Sequence, residues 1–433
     1  MNIIDIIDKK RLGKELSDEE IQYFIKGYTN DEIPDYQAAA LVMAICINGM
    51  TEDETFSMTM AMADSGEKLD LSDISDTVID KHSTGGIGDK VTLIVSPIVS
   101  AMGLPIAKMS GRGLGITGGT VDKLQSIPAY RTDLPIEEFK NNVKEIGISL
   151  ISQTLDLAPA DKKIYALRDS IAAVSSVPLI ASSIMSKKIA AGANKIVIDI
   201  TYGSGAFMKN KLQAKRLAQI MKKIWRGKGR KITCILSKME QPLGYSVGNI
   251  LELIEAVEAL HGKMADDVKD IVFTTCIQML RLSGRKESEQ ELENQIWETI
   301  NSGRAFDKFV QLAQRQGGDA SYLYDLSKLE KAPVIIPVIC NKNGWVKGLN
   351  AEKVGKISVE LGAGRNKKDE EIDRRVGIIL CKKIGDQVEV GDCLAFIHAN
   401  TTENLEDKVE MLKSAYEIVA NSVKKENVID EIM

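Results

Sequence analysis

Residues 80–122 hold the side chains best suited to chemistry: DKHSTGGIGDK, an apolar run, then KMSGRGLGITGGTVD. Each glycine-rich turn follows a short apolar segment of strand character (76–80 and 105–109) and leads into a segment able to begin a helix. Such a turn frees backbone N–H groups and points them, with the helix dipole, at one spot. Phosphate is the usual occupant of that spot. The side chains agree: Lys81, Ser83 and Thr84 punctuate the first turn, and Ser110, Arg112, Thr117 and Thr120 the second. Hydroxyls donate to phosphate oxygens and cations offset their charge. Two such turns in succession, with His82 lodged in the first, read as a place where a phosphate reacts.

His82 is one of three histidines, and its titration range suits it to giving a proton or a hydrogen bond to a leaving group. His261 and His398 lack such company and are read as structural. A second constellation follows later in the chain. Arg168 lies on one predicted helix, and Ser183 and Lys187, four apart, share a face of the next. The surrounding sequence is apolar and small, so this face is expected to line a cleft rather than meet bulk water. Arg168 and Lys187 together suit an electron-rich, uncharged ring that gains negative charge as it departs.

Three motifs invite other readings. Gly113, Gly115 and Gly118 satisfy GxGxxG, and Asp133 stands near the place of a ribose-binding acid. The residues before Asp133, IPAYRT, show no strand pattern, which ranks a dinucleotide below phosphate alone. The segment 85–90 lacks both the spacing of a P-loop and its hydroxyl after lysine. IGDQVEVGDCLAFIHA (384–399) is similar to a biotinyl or lipoyl hairpin, but the tip where a carrier lysine would stand reads His398-Ala-Asn.

The elements that must position these residues alternate in type. Residues 1–65 read as short helices, with capping boxes at Ser17–Glu20 and Thr51–Glu54. From 76 the rhythm becomes strand, glycine turn, helix, which is α/β order. Strands are expected at 147–154 and 195–200, helices at 136–146, 155–191, 210–231, 249–261 and 265–283. Short strands follow at 334–339, 356–361, 377–382 and 394–398, with a final helix near 405–425. We therefore expect an α/β protein: a small all-helical domain (1–65 and 163–193), a large α/β domain (76–154 and 194–330), and a C-terminal α+β lobe (331–433). A cleft is expected between the first two, with hinges near 66–76, 155–162 and 192–195.

Composition narrows the class. The chain of 433 residues is 44% hydrophobic and 27% charged, ordinary for a globular protein with a large core. A net charge of −5 argues against a nucleic-acid binder. Six cysteines without metal-ligand spacing, aspartates in the first residues where a signal peptide is apolar, and no bilayer-length apolar run point to the cytoplasm and away from membranes.

DKHSTGGIGD, KMSGRGLGITGGTVDKL, LDLAPADKKIYALRD, ASSIMSKKIAAG, GSGAFM and GAGRNKKDEEID (362–373) together resemble the thymidine/pyrimidine-nucleoside phosphorylase family, over essentially the whole chain. KMS at 108–110 and the length are more like its pyrimidine-nucleoside branch than its thymidine-restricted one. The resemblance implies phosphorolysis of a pyrimidine nucleoside by inorganic phosphate. Phosphate would be held by Lys81, Ser83, Thr92, Lys108, Met109, Ser110 and Thr120. Arg168, Ser183 and Lys187 would hold the base, and His82 would assist its departure. It also implies a homodimer formed through the helical domains, no organic cofactor, and a monovalent cation, potassium, near Gly88, Lys90, Leu243, Ser246 and Glu255. The chain departs from the family pattern at Ile116 (usually His), Gln125 (usually Glu) and Thr201 (usually Lys), which leaves sugar and base preference open. Two alternatives stand: an anthranilate-type phosphoribosyltransferase, which needs a pyrophosphate-sized site, and a non-catalytic nucleoside- or phosphate-binding protein.

Overall fold

The computed structural model describes residues 1–113, 115–153, 157–227, 229–365 and 370–433. Leu114 of the GxGxxG match, Thr154 at the end of a predicted strand, positions 155–156 of a predicted hinge, and 366–369 of the GAGRNKKDEEID motif lie outside the described residues. In chain order the helices are α1 (Ile3–Arg11), α2 (Asp18–Thr29), α3 (Asp35–Asn48), α4 (Glu52–Ala63), α5 (Val91–Ala101), α6 (Thr120–Leu124), α7 (Ile136–Ile146), α8 (Pro159–Ser170), α9 (Val177–Ala190), α10 (Lys211–Arg226), α11 (Asn249–Leu260), α12 (Asp266–Ser283), α13 (Glu289–Asn301), α14 (Arg304–Arg315), α15 (Ser321–Tyr324), α16 (Ala351–Glu360) and α17 (Leu405–Lys413). The strands are β1 (Ile79–Ser83), β2 (Ile106–Ser110), β3 (Ile148–Ser152), β4 (Lys195–Tyr202), β5 (Lys231–Lys238), β6 (Ser246–Val247), β7 (Val334–Ile339), β8 (Gly344–Leu349), β9 (Gly377–Leu380), β10 (Gln387–Val388), β11 (Cys393–Ala399), β12 (Tyr416–Val419) and β13 (Ile429–Ile432).

The chain divides into two compact units. The first comprises Met1–Val78, Gln153–Lys195 and Leu212–Ile232 and is helical. Both predicted capping boxes form: Ser17 and Thr51 each accept from the N–H three residues on, and Glu20 and Glu54 return the bond. Glu54 also holds Lys10, whose Nζ lies 2.7 and 3.0 Å from its two oxygens, and accepts from Leu16 N at 2.8 Å. Phe24, Leu41, Ile45, Ile164 and Leu179 belong to one apolar cluster that fastens α2, α3, α8 and α9 together. Helix α10 clusters here, whereas the sequence reading grouped it with the α/β domain. Its Lys223 lies 2.9 Å from Glu52 and 3.0 Å from Asp53, and Trp225 is fully buried. Leu212, counted on its apolar stripe, instead stands exposed at the first turn of the helix.

The second unit, Ile79–Ser152, Ile196–Lys211 and Thr233–Met433, carries the sheets. One sheet has the order β1-β4-β5-β13, and β2 pairs with β3 in parallel from Ile106↔Ile148 to Ser110↔Ser152. Helix α5 is buried along nearly its whole length because its sequence, VTLIVSPIVSA, is apolar all round. A helix so enclosed can sit only inside a layer of others, and it packs against α11, α12 and α14. The C-terminal segment forms two small antiparallel sheets, β10-β8-β12 and β6-β9-β11-β7, around Val338, Val346, Ile378 and Ile397. The parts match the expected class: helices, an α/β layer, and α+β at the end.

Several local expectations are corrected. The expected strand at 356–361 is instead the end of α16, with Leu361 as its C-cap: Asn350 caps the start of the helix, and Ala351, Val354 and Ile357 bury one face at a spacing of three, so the helical period overrides the apparent alternation of KISVEL. The final helix stops at Lys413, and the next stretch forms β12 and then β13, which joins β5 antiparallel. β1 begins at Ile79 and runs to Ser83, so Lys81 and His82 lie on a strand rather than in the turn. His398 is in mid-sheet, paired with Ile335 and Gly377, and not at a hairpin tip. His261 packs against Phe306 with ring centroids 4.3 Å apart and the planes tilted by 40°. Among the described residues no helix is long and apolar enough to cross a membrane.

Candidate active site

In the second unit, the candidate anion-binding constellation is built from β1, the turn after it, and the start of α5. Side chains alternate along a strand, so Lys81 and Ser83 share one face of β1 and His82 takes the other. The chain then turns through Gly85 and Gly88, both at positive φ, a conformation open to glycine at little cost. Ser83 Oγ accepts from Gly85 N at 3.2 Å, and Asp89 Oδ1 from Val91 N at 3.1 Å, which shapes the turn onto α5. Thr92 lies buried in the first turn of that helix.

Lys81 decides the character of this constellation. Its side chain is 1% exposed, its nearest carboxylate oxygen is Asp89 Oδ1 at 3.8 Å, and Nζ makes no hydrogen bond among the described residues. A buried ammonium without acceptors is unfavourable until an anion supplies them. The acids around it are unequal. Burial pushes the Asp89 carboxyl up, but the ammoniums of Lys81 and Lys123, the Ser83 hydroxyl and the Val91 N–H outweigh that and hold it near 2. Asp199 on β4 goes the other way: burial dominates, and despite Lys81 and the Ser237 hydroxyl its carboxyl is pushed up to about 6. Thr201, on the same strand, locks the turn: its N–H donates to Thr84 Oγ1 (3.0 Å), and its hydroxyl lies 3.2 Å from the same oxygen and donates to the Gly85 carbonyl.

Lys108, Met109 and Ser110 come from β2. Lys108 Nζ donates to the Lys81 carbonyl and lies 3.6 Å from Asp80 Oδ1, so it ties β2 to β1 behind the site. The second glycine turn differs from the expected cradle. Helix α6 has five residues, too few for an appreciable dipole, with Thr120 its first. The turn is closed around Asp122, which accepts from Gly113 N (2.7 Å) and meets Arg112 (3.3 Å) and Arg365 (2.9 Å). Its glycines permit that closure: a Cβ on Gly119 would fall 2.1 Å from Gly113 N. Gln125, where the resemblance expects Glu, accepts from Arg112 Nη1 at 2.8 Å and keeps the contact without the charge. Ile116 packs against the C-terminal apolar cluster, an environment for a hydrocarbon side chain.

The helical unit holds the other constellation. Ser183 and Lys187 do share a face of α9, with Lys187 Nζ 3.1 Å from Ser183 Oγ. The same Nζ lies 2.8 Å from Asp161 Oδ2 and 5.6 Å from the centre of the Tyr165 ring. Asp161 Oδ1 is buried without a hydrogen bond among the described residues. Arg168 is buried, and Nε, Nη1 and Nη2 donate to the carbonyls of Ala173 (3.1 Å), Leu179 (3.1 Å) and Val174 (2.8 Å). Burial pulls its guanidinium below its ordinary value while Asp161 opposes the shift. Arg168 thus clamps the α8–α9 connection, with three of its five N–H groups engaged among the described residues.

Sequence reasoning gave no site role to Asp161 or Asp199, and it noted Thr201 only as a departure from the family pattern. The first was legible: Asp161, Tyr165 and Arg168 recur at i, i+4, i+7 along α8 and must share a face. Asp199 was a charged residue inside the apolar run KIVIDI, itself a signal.

The expected cation position fails a test of fit. Leu243 O, Ser246 O and Glu255 Oε2 do converge on one point, but that point is Lys90 Nζ, at 2.8, 3.2 and 2.7 Å. Three of the acceptors implied for potassium, on Leu243, Ser246 and Glu255, are bonded to an ammonium of the chain itself, Lys90, which stood among the implied ligands.

Comparisons with known proteins agree along the whole chain. Residues 4–66 match the helical bundle domain of the glycosyl transferase family, 75–306 its a/b domain, and 345–419 the pyrimidine nucleoside phosphorylase C-terminal domain. The chain is 48% identical over 422 residues to the pyrimidine-nucleoside phosphorylase of Staphylococcus haemolyticus, covering 98% of this chain and 97% of the relative. It is 46% identical over 422 residues to the protein of that name from Bacillus subtilis, again with 98% and 97% covered. Among solved structures, the anthranilate phosphoribosyltransferase of Thermus thermophilus superposes with a TM-score of 0.59 at 17% identity, covering 72% of this chain and 99% of that one. That likeness concerns the fold alone.

Proposed function

The chain belongs to the pyrimidine-nucleoside phosphorylase family, and from that membership we infer that it catalyses the reversible phosphorolysis of uridine, thymidine or deoxyuridine to free base and (deoxy)ribose 1-phosphate. The observation that carries the reading is Lys81: a fully buried ammonium with no hydrogen-bond acceptor among the described residues, beside the N-terminus of α5, calls for an anion. Lys81, Ser83 and Thr92 are the residues we assign to phosphate, with Ser110 and Thr120 completing its shell and Lys108 and Met109 holding β2 in register. Ser183 and Lys187 are assigned to the base, with Arg168 contributing its remaining N–H groups. His82, on the face of β1 opposite Lys81, is assigned to the departing base.

In this reaction the bond from the anomeric carbon to the ring nitrogen breaks as an oxygen of phosphate bonds to that carbon. The sugar gains cationic character, which the phosphate charge offsets. The electron pair stays on the base, where Lys187 stabilises it, and the base nitrogen ends with the proton that hydrogen phosphate gives up on becoming the sugar phosphate. Asp161 Oδ2, 2.8 Å from Lys187 Nζ, holds that ammonium in place.

A homodimer joined through the helical unit is part of the proposal, supported by Ile4, Leu12, Tyr36 and Ile47, large apolar side chains exposed on α1 to α3. A cytoplasmic setting is supported by six cysteines that are all free thiols. The test is base release from uridine and thymidine with and without phosphate. Release only with phosphate is expected. Release that ignores phosphate but responds to pyrophosphate would favour a phosphoribosyltransferase, and tight nucleoside binding without release a non-catalytic protein.

A further inference from the structure

Lys90 is the N-cap residue of α5, and its side chain is wholly buried. Its ammonium makes three bonds, to Leu243 O, Ser246 O and Glu255 Oε2. Two neutral carbonyls and one carboxylate form a shell of net charge −1, which one monovalent cation neutralises. Glu255 is tied in turn to the same loop, accepting from Tyr245 N at 2.9 Å and Ser246 N at 2.7 Å. The main chain closes tightly here: a Cβ on Gly88 would fall 2.5 Å from Leu243 O, and one on Gly244 2.7 Å from Lys90 Nζ. A second ammonium, Lys383, takes the neighbouring carbonyls of Pro242 (3.0 Å) and Gly244 (2.9 Å) and pairs with Asp267. The remaining carbonyl of this loop, Tyr245 O, accepts from Leu380 N at 2.8 Å. Every main-chain oxygen from 242 to 246 is therefore committed to a donor of the protein.

We propose that the Lys90 ammonium takes the place of the monovalent metal ion implied at Leu243, Ser246 and Glu255, so that this protein neither binds nor requires potassium there. An ammonium carries the same charge as potassium and is similar in size, and here it is tethered to the residue that starts α5. A free ion brought to the oxygens of Leu243, Ser246 and Glu255 would meet a like charge at contact and would have to share oxygens that already accept from Lys90. The glycine turn before α5 is thereby braced by a covalently attached cation that cannot dissociate.

The test compares thermal unfolding and phosphorolysis in potassium chloride and in tetramethylammonium chloride at equal ionic strength. For the wild type, no saturable rise in Tm and no change in rate with potassium are expected; a saturable rise in either overturns the proposal. Lys90→Thr, which withdraws the ammonium and leaves an oxygen, should unfold at a lower temperature in tetramethylammonium chloride and recover saturably with potassium or rubidium. A folded Lys90→Thr variant indifferent to both ions would also overturn it. Crystals soaked in rubidium should show an anomalous peak among the three acceptors in the variant and none in the wild type, and a wild-type peak there refutes the substitution. If Lys90→Thr does not fold, the wild-type arms still decide. Since unfolding is read without substrate, failure of the phosphorolysis reading would show separately, as absence of base release in every salt.

Discussion

Replacing Asp199 by Asn converts a buried charge into a measurable dependence on pH. Asp199 sits in the middle of β4, 2% exposed, with Ser237 Oγ donating to it at 2.5 Å. Burial, reinforced by Asp89 and opposed by Lys81, pushes its carboxyl up to about 6, against about 3.9 in an unfolded chain. Between those values the folded protein binds the proton and the unfolded chain does not, so stability falls as pH rises. The group's contribution is fully retained below about 3.9 and lost as pH passes about 6, reaching about 3 kcal/mol of destabilisation well above that. Between pH about 5 and about 8 the change amounts to about 1.4 kcal/mol. Asp199→Asn removes the titration and nearly preserves shape. Any constant penalty from the altered bond to Ser237 cancels when the variant is compared with wild type at two pH values. Urea midpoints of both proteins, taken at pH about 5 and about 8, should show the variant gaining about 1.4 kcal/mol relative to wild type on the alkaline side. A difference independent of pH, or one of opposite sign, would refute the claim that desolvation outweighs the Lys81 ammonium at this carboxyl.

The other expectations concern the two constellations and the helical unit. Lys187→Ala should lower kcat by about 10²–10³ while leaving the phosphate KM nearly unchanged; steady-state kinetics with a rate close to wild type would remove Lys187 from the site. Ser110→Ala should raise the phosphate KM, since one neutral hydrogen bond is worth about 0.5–1.5 kcal/mol, or up to about tenfold; an unaltered phosphate dependence would exclude the end of β2. Lys10→Met leaves Glu54 buried without its cation and should destabilise the helical unit by about 3–5 kcal/mol, read from urea unfolding followed by helical circular dichroism. A loss below about 1 kcal/mol would mean that the N–H groups of Leu16 and Thr51 satisfy that carboxylate by themselves.

What was legible in the sequence was local. Capping boxes at Ser17 and Thr51, the helix at 136–146 and the shared face of Ser183 and Lys187 depend on residues within a few positions of each other, and all formed as read. What escaped depends on partners far along the chain. Nothing near Lys90 indicates that carbonyls at 243 and 246 will surround its ammonium, so a resemblance that placed potassium there could not be corrected from spacing. The second glycine turn looked like the first because its glycines are as dense. Its closure comes from Asp122 and from Arg365, whose partnership no local pattern reveals. KISVEL misled for another reason: over six residues a period of two and a period of 3.6 pick out overlapping positions, and Asn350, six residues earlier, settles the question.

β5 has β4 on one flank and β13 on the other, with Ile429 opposite Ser237 and Ile432 opposite Ile235. Beyond the strand, Met433 and Cys234 exchange main-chain bonds of 2.8 and 3.0 Å. On the ribosome, then, one side of β5 stays raw while all of the C-terminal segment up to β13 is being made. An unpaired flank of this kind recruits whatever extended peptide is at hand, including another nascent copy. The late-made residues Ile429–Ile432 act as a clasp: until they arrive the sheet is a template for mispairing, and a translation product halted before them would be a substrate for chaperones rather than for catalysis.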